Sequence, residues 1–296
     1  MNIVGKLAEP IRKLPRASVI TIGAFVFIGV FAPLLTPHAP NAQNLLLAGE
    51  GPTMTHWLGA DHLGRDTLSR LITAARTSLV GVCLVLVIAH TIGTTIGTVA
   101  GYRRGWTDEI LMRIVDVGLA IPSLIISLAV IGVFGASYWN MILALALAWW
   151  PGSARVSRAV AVSVMNKPQM EALRVLGASP MRIYFVHLLP TTLGAVLVYA
   201  TADAGAVALA IATLSFLGLG IQPPTPEWGQ MLVDALPYLE TDPRQVVLPG
   251  LALTLAVIGF NILGEAVALN RVPTPLTNKM LVARRRATAL WAKESI

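Results

Sequence analysis

Six long apolar segments dominate the sequence and limit what the chain can fold into. They lie at roughly residues 18–35, 78–101, 112–134, 138–154, 193–218 and 246–269. A helix that crosses a bilayer needs about 20 predominantly apolar residues, and each segment approaches or exceeds that length. Because a single open strand cannot satisfy its backbone hydrogen bonds in lipid, the pattern predicts an all-α membrane protein with six transmembrane helices.

The composition excludes several other classes of protein. Hydrophobic residues make up 55% of the chain and charged residues 12%, and the mean hydropathy is +0.70. Soluble domains contain about 25% charged residues, so an ordinary soluble enzyme and a disordered chain are both excluded. The single cysteine, Cys83, leaves no intrachain disulfide and no CxxC metal site.

Basic residues are distributed unevenly between the connecting segments. The N-terminal tail, the 102–113 loop, the 155–190 loop and the C-terminal tail hold four, three, five and six of the 22 Lys and Arg residues, and the alternate loops hold the other four. The positive-inside rule therefore places both termini in the cytoplasm. The run Arg284–Arg286 fits a topology signal near anionic lipid better than a nucleic-acid site, because no aromatic-rich basic fold accompanies it.

These patterns divide the chain into three parts. Residues 1–76 should contain an N-terminal cytoplasmic tail, the first transmembrane helix and an external loop. Residues 77–270 should form a five-helix core that includes the 155–190 loop, and residues 271–296 a basic cytoplasmic tail. The first apolar segment is interpreted as a retained anchor, because it is longer than the apolar region of about 7–15 residues in a signal peptide.

The first external segment, residues 36–76, contains three histidines, His38, His56 and His62. Their spacing matches no compact pattern of metal ligands, so we expect surface or interface histidines and no metal site. Towards the end of the segment, Asp66 or Thr67 should cap an amphipathic helix that leads into the second span.

The second external segment, residues 221–246, is acidic. Its carboxylates are Glu227, Asp234, Glu240 and Asp242. We expect a solvated loop here and not a ligand site. Trp228 is of the residue type that favours the membrane interface, and we expect it there.

Small residues within two spans predict close helix packing. Gly93, Gly97 and Gly101 form overlapping GxxxG steps in the second span. The fifth span carries eight alanines between Leu193 and Leu217, which predicts a central helix that packs on its neighbours or lines a passage.

Two ionisable residues lie inside predicted spans. A carboxylate at the bilayer centre costs about 2.5–3.5 kcal/mol, so Asp203 should face the protein interior. It is either part of a translocation path, where Gly205 could interrupt the helix, or a structural carboxylate bonded to Thr201, a neighbouring hydroxyl or a partner subunit. His90 is expected to be a hydrogen-bonded packing residue and not a proton relay.

The 155–190 loop contains signals for two short helices. Asn166 or Lys167 can cap the first helix, with Pro168 in its first turn. Gly177 fits a left-handed residue that ends this helix. Ser179 can cap a second helix, which is expected to end at Pro190, where the fifth span begins.

Several apolar side chains of this loop would be costly to leave in water. They are Ala172, Leu173, Val175, Leu176 and Met181. Two interpretations remain open. The loop is either an amphipathic helix that lies on lipid, or a rigid knob that docks in the groove of a cytosolic partner.

The segment EALRVLGASPMRIYFVHLLP resembles the EAA loop of binding-protein-dependent ABC importer permeases. Glu171, Ala172, Gly177, Leu189 and Pro190 match that motif, whereas Leu173 and His187 depart from it. WPGSARVSRA, HWLGADHLGRDTLSRLITAARTSL and LSFLGLGIQPPTPEWGQML resemble the dipeptide, oligopeptide and nickel branch. The resemblance extends from about residue 18 to 270, and the ending FNILGEAVALNRVPTP departs from the usual one.

The resemblance implies the architecture of a type I ABC importer permease in a bacterial or archaeal cytoplasmic membrane. It implies a second permease, two ATPase subunits or one fused chain, and an extracytoplasmic binding protein as partners. The loop that couples to the ATPases would be residues 166–190. Its contact residues would be Glu171, Ala172, Leu173, Leu176, Gly177, Ala178, Ser179, Met181, Arg182 and Pro190.

The chain itself is expected to be neither an enzyme nor a nucleic-acid-binding protein. No GxxxxGK[ST] motif is present, so ATP and Mg²⁺ should bind to the partner ATPases and no cofactor to this chain. Di- or oligopeptides are the first choice of substrate, and nickel or a metal chelate is the alternative. A stand-alone channel or secondary transporter is the rival from another class, but no convincing internal repeat supports it.

Overall fold

A computed structural model describes residues 16–271, and every regular element in this range is helical apart from one isolated bridge between Ala60 and Asp66. The predictions for residues 1–15 and for the basic tail beyond Arg271 lie outside the described residues. The longer helices are α1 (Arg16–Leu35), α2 (Thr67–Arg103), α3 (Gly105–Ala120), α4 (Ser123–Phe134), α5 (Tyr138–Met165), α6 (Pro168–Val175), α7 (Pro180–Phe216), α8 (Trp228–Ala235) and α9 (Arg244–Arg271). Short 3₁₀ turns occupy Leu45–Leu47 and Leu236–Tyr238.

Three of the described helices are long and apolar enough to cross a membrane, namely Thr67–Arg103, Pro180–Phe216 and the Arg244–Ala268 part of α9. The predicted third span, 112–134, is not one straight helix. It is divided between α3 and α4, which meet at an angle of 89°. Pro122 lies at this break, where a proline ring is incompatible with a continuing helix. Counted as one bent span, the pair brings the number to four.

The start of α2 confirms the predicted cap. Oδ2 of Asp66 accepts the backbone N–H of Ser69 at 2.8 Å. From this cap the helix continues without a break for 37 residues, so the amphipathic entry and the second span form one rod. One end of the bundle therefore carries the residues around Asp66, and the other end carries Arg103.

Helix α7 begins earlier than the sequence predicts. The second short helix of the 166–190 loop does not end at Pro190. It continues from Pro180–Arg182 through a π-helical segment, Ile183–Leu188, into Leu189–Phe216. The backbone N–H of Leu189 bonds to the carbonyl oxygen of Tyr184, and this wider turn accommodates the proline that follows.

The centre of the bundle is formed by α2, α5 and α7. Gly93 lies against the backbone of α5, where an added Cβ would come within 2.5 Å of the Trp150 carbonyl oxygen, and Gly97 lies in the same way against Ala154. The predicted close packing at the GxxxG steps is confirmed. Helix α7 is central in the described structure, and its small residues also meet α9: a Cβ on Gly264 would come within 2.8 Å of the Ala202 Cα.

Candidate functional site

The 166–190 loop forms a helix–turn–helix at one end of the bundle, called the loop end here. Lys167 occupies the N-cap of α6, but its side chain makes no capping hydrogen bond. The side chain of Asn166, the other predicted cap, instead accepts a hydrogen bond from the Arg104 guanidinium at the end of α2. Pro168 lies in the first turn as predicted, where its missing N–H is tolerated.

The turn between α6 and α7 has the geometry of a Schellman motif. Gly177 has a φ of 77°, which confirms the predicted left-handed residue. The N–H of Gly177 donates to the carbonyl oxygen of Arg174 at 3.0 Å. The N–H of Ala178 donates to the carbonyl oxygen of Leu173 at 2.9 Å. Ser179 then caps α7, since its hydroxyl oxygen accepts the N–H of Arg182. These bonds define the angle between the two helices.

The underside of the helix–turn–helix is anchored in an apolar cluster. Its buried members are Ala161, Val164, Met165, Met170, Ile183 and Leu188. Two tyrosine hydroxyls also connect the helix–turn–helix to α2 through hydrogen bonds. The Tyr102 hydroxyl donates to the Pro180 carbonyl oxygen at 3.2 Å, and the hydroxyls of Thr98 and Tyr184 lie 2.9 Å apart. The loop is therefore joined to both α2 and α5.

The outer side of the same turn exposes large apolar side chains. Val175 and Leu176 are each 82% exposed, and Met181 is 69% exposed. The predicted contact residues Glu171, Ala172, Gly177, Ser179, Arg182 and Pro190 are exposed as well, whereas Leu173 and Ala178 pack partly on the cluster beneath. Within residues 16–271, Glu171 has no hydrogen-bond or ion-pair partner. Such a surface suits contact with another molecule.

Asp203 lies within the bundle and close to His90. Nε2 of His90 is 3.7 Å from Oδ2 of Asp203, and the Tyr199 hydroxyl interacts with the same carboxylate. Nδ1 of His90 bonds to the Leu86 carbonyl oxygen at 2.9 Å and must donate there, so Nε2 of a neutral ring is a bare acceptor. Nε2 of His90 and Oδ2 of Asp203 therefore face each other, buried, at a distance too long for a hydrogen bond.

Gly205, the second residue suggested for a translocation path, packs against α9. An added Cβ would come within 2.6 Å of Oδ1 of Asn261. Nothing in the sequence indicates that His90 and Asp203 lie close together, because they belong to different spans. Their proximity is a property of the fold.

At the opposite end of the bundle, the 221–246 segment is not the solvated loop that the sequence predicts. Glu227 is fully buried and caps α8 through the N–H of Gln230. Trp228, expected at the membrane interface, is 2% exposed and packs with Ala74 and Met231. The segment folds back against α2, and this contact buries residues that a loop would leave in water.

Charged side chains at this end join three parts of the chain. Oδ2 of Asp61 lies 2.6 Å from Nε of Arg65 and 3.4 Å from Nε of Arg70. Arg70 also donates to the carbonyl oxygens of Pro40 and Pro224. Sequence reasoning missed this network, although the motif GADHLGRD was the signal that could have indicated it.

Asp242 forms a second charged cluster just before α9. Its carboxylate accepts two hydrogen bonds from Arg244, at 2.7 and 2.8 Å, and one from Gln245 at 3.0 Å. Burial alone would raise the pKa of Asp242, but these hydrogen bonds outweigh it and hold the pKa below its ordinary value.

The three histidines are divided between two environments. His62 stacks on Tyr238 with ring centroids 4.9 Å apart. His38 and His56 instead meet at Asp66, the cap of α2, and their own rings are 4.6 Å apart. The spacing in the sequence gave no reason to expect this cluster.

Comparison with known proteins identifies the family. Residues 93–271 match the family described as "Binding-protein-dependent transport system inner membrane component". The chain is 37% identical over 253 residues to the dipeptide transport system permease protein DppC of Alkalihalophilus pseudofirmus, covering 86% of this chain and 83% of the relative. It is 39% identical over 251 residues to the nickel transport system permease protein NikC of Escherichia coli K12, covering 85% and 91%.

A third relative and a solved structure agree with this assignment. The glutathione transport system permease protein GsiD of Pectobacterium atrosepticum is 38% identical over 251 residues, covering 83% of each chain. A chain of the inward-facing MetNI methionine ABC transporter shares the fold, with a TM-score of 0.52 and 20% identity over 67% of this chain and 96% of that one. The chain belongs to the family of binding-protein-dependent ABC importer permeases, in the group that contains the dipeptide, nickel and glutathione permeases.

Proposed function

We propose that this permease subunit imports di- or oligopeptides across a bacterial or archaeal cytoplasmic membrane in an ATP-driven complex. Six spans place both termini and the 166–190 loop in the cytoplasm. Residues 1–76 provide the N-terminal tail, anchor and external loop, residues 77–270 the core, and residues 271–296 a cytoplasmic tail. The loop end is then cytoplasmic, and the opposite end faces the binding protein.

The observation that carries this proposal is the exposed apolar surface of the loop on a firmly held base. Val175, Leu176 and Met181 are exposed, while Met170 and Ile183 of the same helix–turn–helix are buried in the cluster that anchors it. An amphipathic helix that lies on lipid needs only an apolar face. Here the turn is also joined to α2 through Tyr102. A knob on a rigid base suits docking into a groove of the ATPase.

The proposed mechanism uses the loop as a lever. ATP and Mg²⁺ bind to the partner ATPase subunits, and closure of these subunits displaces α6. The Schellman turn at Gly177 keeps the angle between α6 and α7, so the displacement is passed to α7. Because α7 is continuous from Pro180 to Phe216, its far end moves with the loop and alternates access to the passage.

The complex is proposed to contain a second, homologous permease, two ATPase subunits or one fused chain, and an extracytoplasmic binding protein. Glu171 is exposed on α6 and is proposed to pair with a basic group of the ATPase. The passage would lie between the two permeases. Asp203 and Gly205 face helices of this chain, so we propose that they influence the passage by positioning α7.

Peptides are favoured as substrates because two of the relatives named above carry dipeptides and glutathione by their names, and one carries nickel. Nickel or a metal chelate is therefore the alternative within the same family. The test of substrate is uptake of labelled dipeptides and of labelled Ni²⁺ by cells that express the complete importer.

The docking proposal is tested by capture of partners. The full-length chain is tagged, extracted in mild detergent from its own cell and compared with two variants. Leu176→Asp places a charge at the exposed tip and should release the ATPase subunits. Leu46→Asp is the matched control, because Leu46 is 94% exposed at the opposite end, and it should retain them.

Wild-type capture of two ATPase chains and a second permease, lost only in the Leu176→Asp variant, supports the proposal. Retention of the ATPases by Leu176→Asp contradicts docking through the loop. Capture of a homo-oligomer without any ATPase, together with uptake that does not require ATP, would favour the channel or secondary transporter, which membership of this family already disfavours.

A further inference from the structure

Two histidines and a carboxylate from separate points of the chain meet at the opposite end of the bundle. His38 follows α1, His56 lies in the next loop, and Asp66 caps α2. One donor atom of each lies within 4.8 Å of the other two. Oδ1 of Asp66 is 2.8 Å from Nδ1 of His56 and 3.8 Å from Nδ1 of His38.

We propose that His38, His56 and Asp66 bind one divalent transition-metal ion of the class of Zn²⁺ and Ni²⁺. Imidazole nitrogen and carboxylate oxygen are ligands that these ions favour. In a tetrahedral shell with bonds of about 2.0–2.1 Å, donor atoms lie about 3.3 Å apart. The two distances to Oδ1 of Asp66 lie on either side of this value, so small side-chain rotations would bring the three donor atoms to the spacing of a tetrahedral site. The site is independent of the substrate that the importer carries.

The carboxylate of Asp66 can ligate a metal without giving up its structural role. Oδ2 accepts the N–H of Ser69 and thereby caps α2, whereas Oδ1 faces the two histidines. On metal binding, Nδ1 of His56 gives up the proton of its hydrogen bond to Asp66. The neutral ring carries its proton on Nε2 instead, and the metal occupies the position between Nδ1 and Oδ1.

The surroundings allow an ion to enter and remain. The side chains of Asp66 and His56 are 2% and 14% exposed, and that of His38 is 41% exposed, so the site opens to solvent at His38. Water can complete the coordination shell from that side. The neighbouring cations Arg65 and Arg70 direct their guanidinium groups at Asp61, which compensates part of their charge.

A bound ion would join the segment after α1 to the start of α2. Because the ion binds the folded chain and not the separated ligands of an unfolded one, it should raise the thermal stability of the protein.

The test uses the full-length chain, purified in detergent with its co-purifying subunits through a tag free of histidine and stripped with a chelator. ZnCl₂ and NiCl₂ are titrated, with MgCl₂ as the control salt. Bound metal is measured by elemental mass spectrometry and the melting temperature by intrinsic fluorescence. The wild type should bind one Zn²⁺ or Ni²⁺ per chain, with a rise in Tm that Mg²⁺ does not produce.

Three variants separate ligation from folding. His38→Ala should weaken binding at least tenfold, and its ring makes no hydrogen bond in the described residues, so the fold should survive. His56→Gln keeps a donor for Asp66 but should also bind weakly. His62→Ala removes a histidine outside the cluster and should bind like the wild type. Absence of stoichiometric binding by the wild type, or equal loss in His62→Ala, overturns the proposal.

Discussion

The hydroxyl of Ser78 donates a 2.9 Å hydrogen bond to Oε1 of Glu227, which lies 149 positions later in the chain. The other carboxylate oxygen, Oε2, accepts the N–H of Gln230 at 3.0 Å. Glu227 is fully buried, and a buried carboxylate is costly unless both oxygens are hydrogen-bonded. The bond therefore helps to hold α8 against α2, together with the packing of Trp228 and Met231 on Ala74.

Replacement of Glu227 should destabilise this contact. Glu227→Ala leaves the Ser78 hydroxyl and the Gln230 N–H without their partner, and it should lower the free energy of unfolding by about 2–4 kcal/mol. Glu227→Gln keeps one acceptor and should lie between this variant and the wild type. The melting temperature of the detergent-purified protein measures the effect. Glu240→Ala, an exposed position on the same connection, is the control, and equal melting of both alanine variants would contradict this role.

Gly177→Leu should abolish ATP-driven uptake without loss of membrane insertion. An added Cβ would meet nothing within 4 Å, so the defect comes from the left-handed backbone, where a side chain costs about 1–2 kcal/mol. The turn would relax to another angle and uncouple α6 from α7. Uptake in cells and the amount of chain in the membrane are measured together.

Gly135→Leu is the matched control for Gly177→Leu. Gly135 has a φ of 86° and equally open surroundings, but it joins α4 to α5 away from the loop. Because Gly135 also has a ψ of 160°, a region almost restricted to glycine, this variant carries at least as much backbone strain as Gly177→Leu and should still retain most of its uptake. Wild-type uptake by Gly177→Leu would contradict the lever mechanism. Equal loss of uptake in both variants would show that backbone strain in general, and not the angle of the loop, causes the defect.

Substitutions at Asp203 should separate hydrogen bonding from charge. Asp203→Asn can donate its amide N–H to Nε2 of His90 and should support assembly close to that of the wild type. Asp203→Ala leaves the Tyr199 hydroxyl without its carboxylate partner and removes the carboxylate that lies 3.7 Å from Nε2 of His90, so it should reduce assembly and uptake. Complex yield and uptake per complex are the two readouts. A fully normal Asp203→Ala complex would show that the residue is a bystander.

Asp242 should contribute stability that depends on pH. Because the folded state lowers its pKa, this contribution is present above the unfolded pKa of about 3.9 and is lost as the pH falls through the lower folded pKa. The melting temperature of Asp242→Asn should lie below that of the wild type at pH 6–7. The difference should narrow on acidification below about pH 4. A difference independent of pH would assign the effect to packing.

Local signals predicted local structure well. Asp66, Gly177 and Ser179 act as a helix cap, a left-handed stop and a second cap, as their positions in the sequence indicate. Each of these bonds joins residues within a few positions of each other, so the information lies in a short segment. The glycines of α2 also indicated close packing, because few residues other than glycine allow two helix backbones to approach so closely.

Predictions that depended on distant residues were less successful. Trp228 was expected at the membrane interface, and it is buried against Ala74. Nothing near Trp228 in the sequence indicates that α8 folds back on α2. The extension of α7 through Pro190 was missed for a different reason, since a proline normally ends a helix and the π-helical turn before it is not visible in a hydrophobic pattern.

The sequence by itself determined the membrane class, the helix–turn–helix of the 166–190 loop and the family. Hydropathy, helix caps and motifs each depend on residues that are close together in the sequence. Only the tertiary structure decided which polar groups meet. His90 reaches Asp203, Ser78 reaches Glu227, and His38 joins His56 at Asp66. In a largely apolar chain, a few buried polar groups must find partners across the bundle, and the packing of the helices selects them.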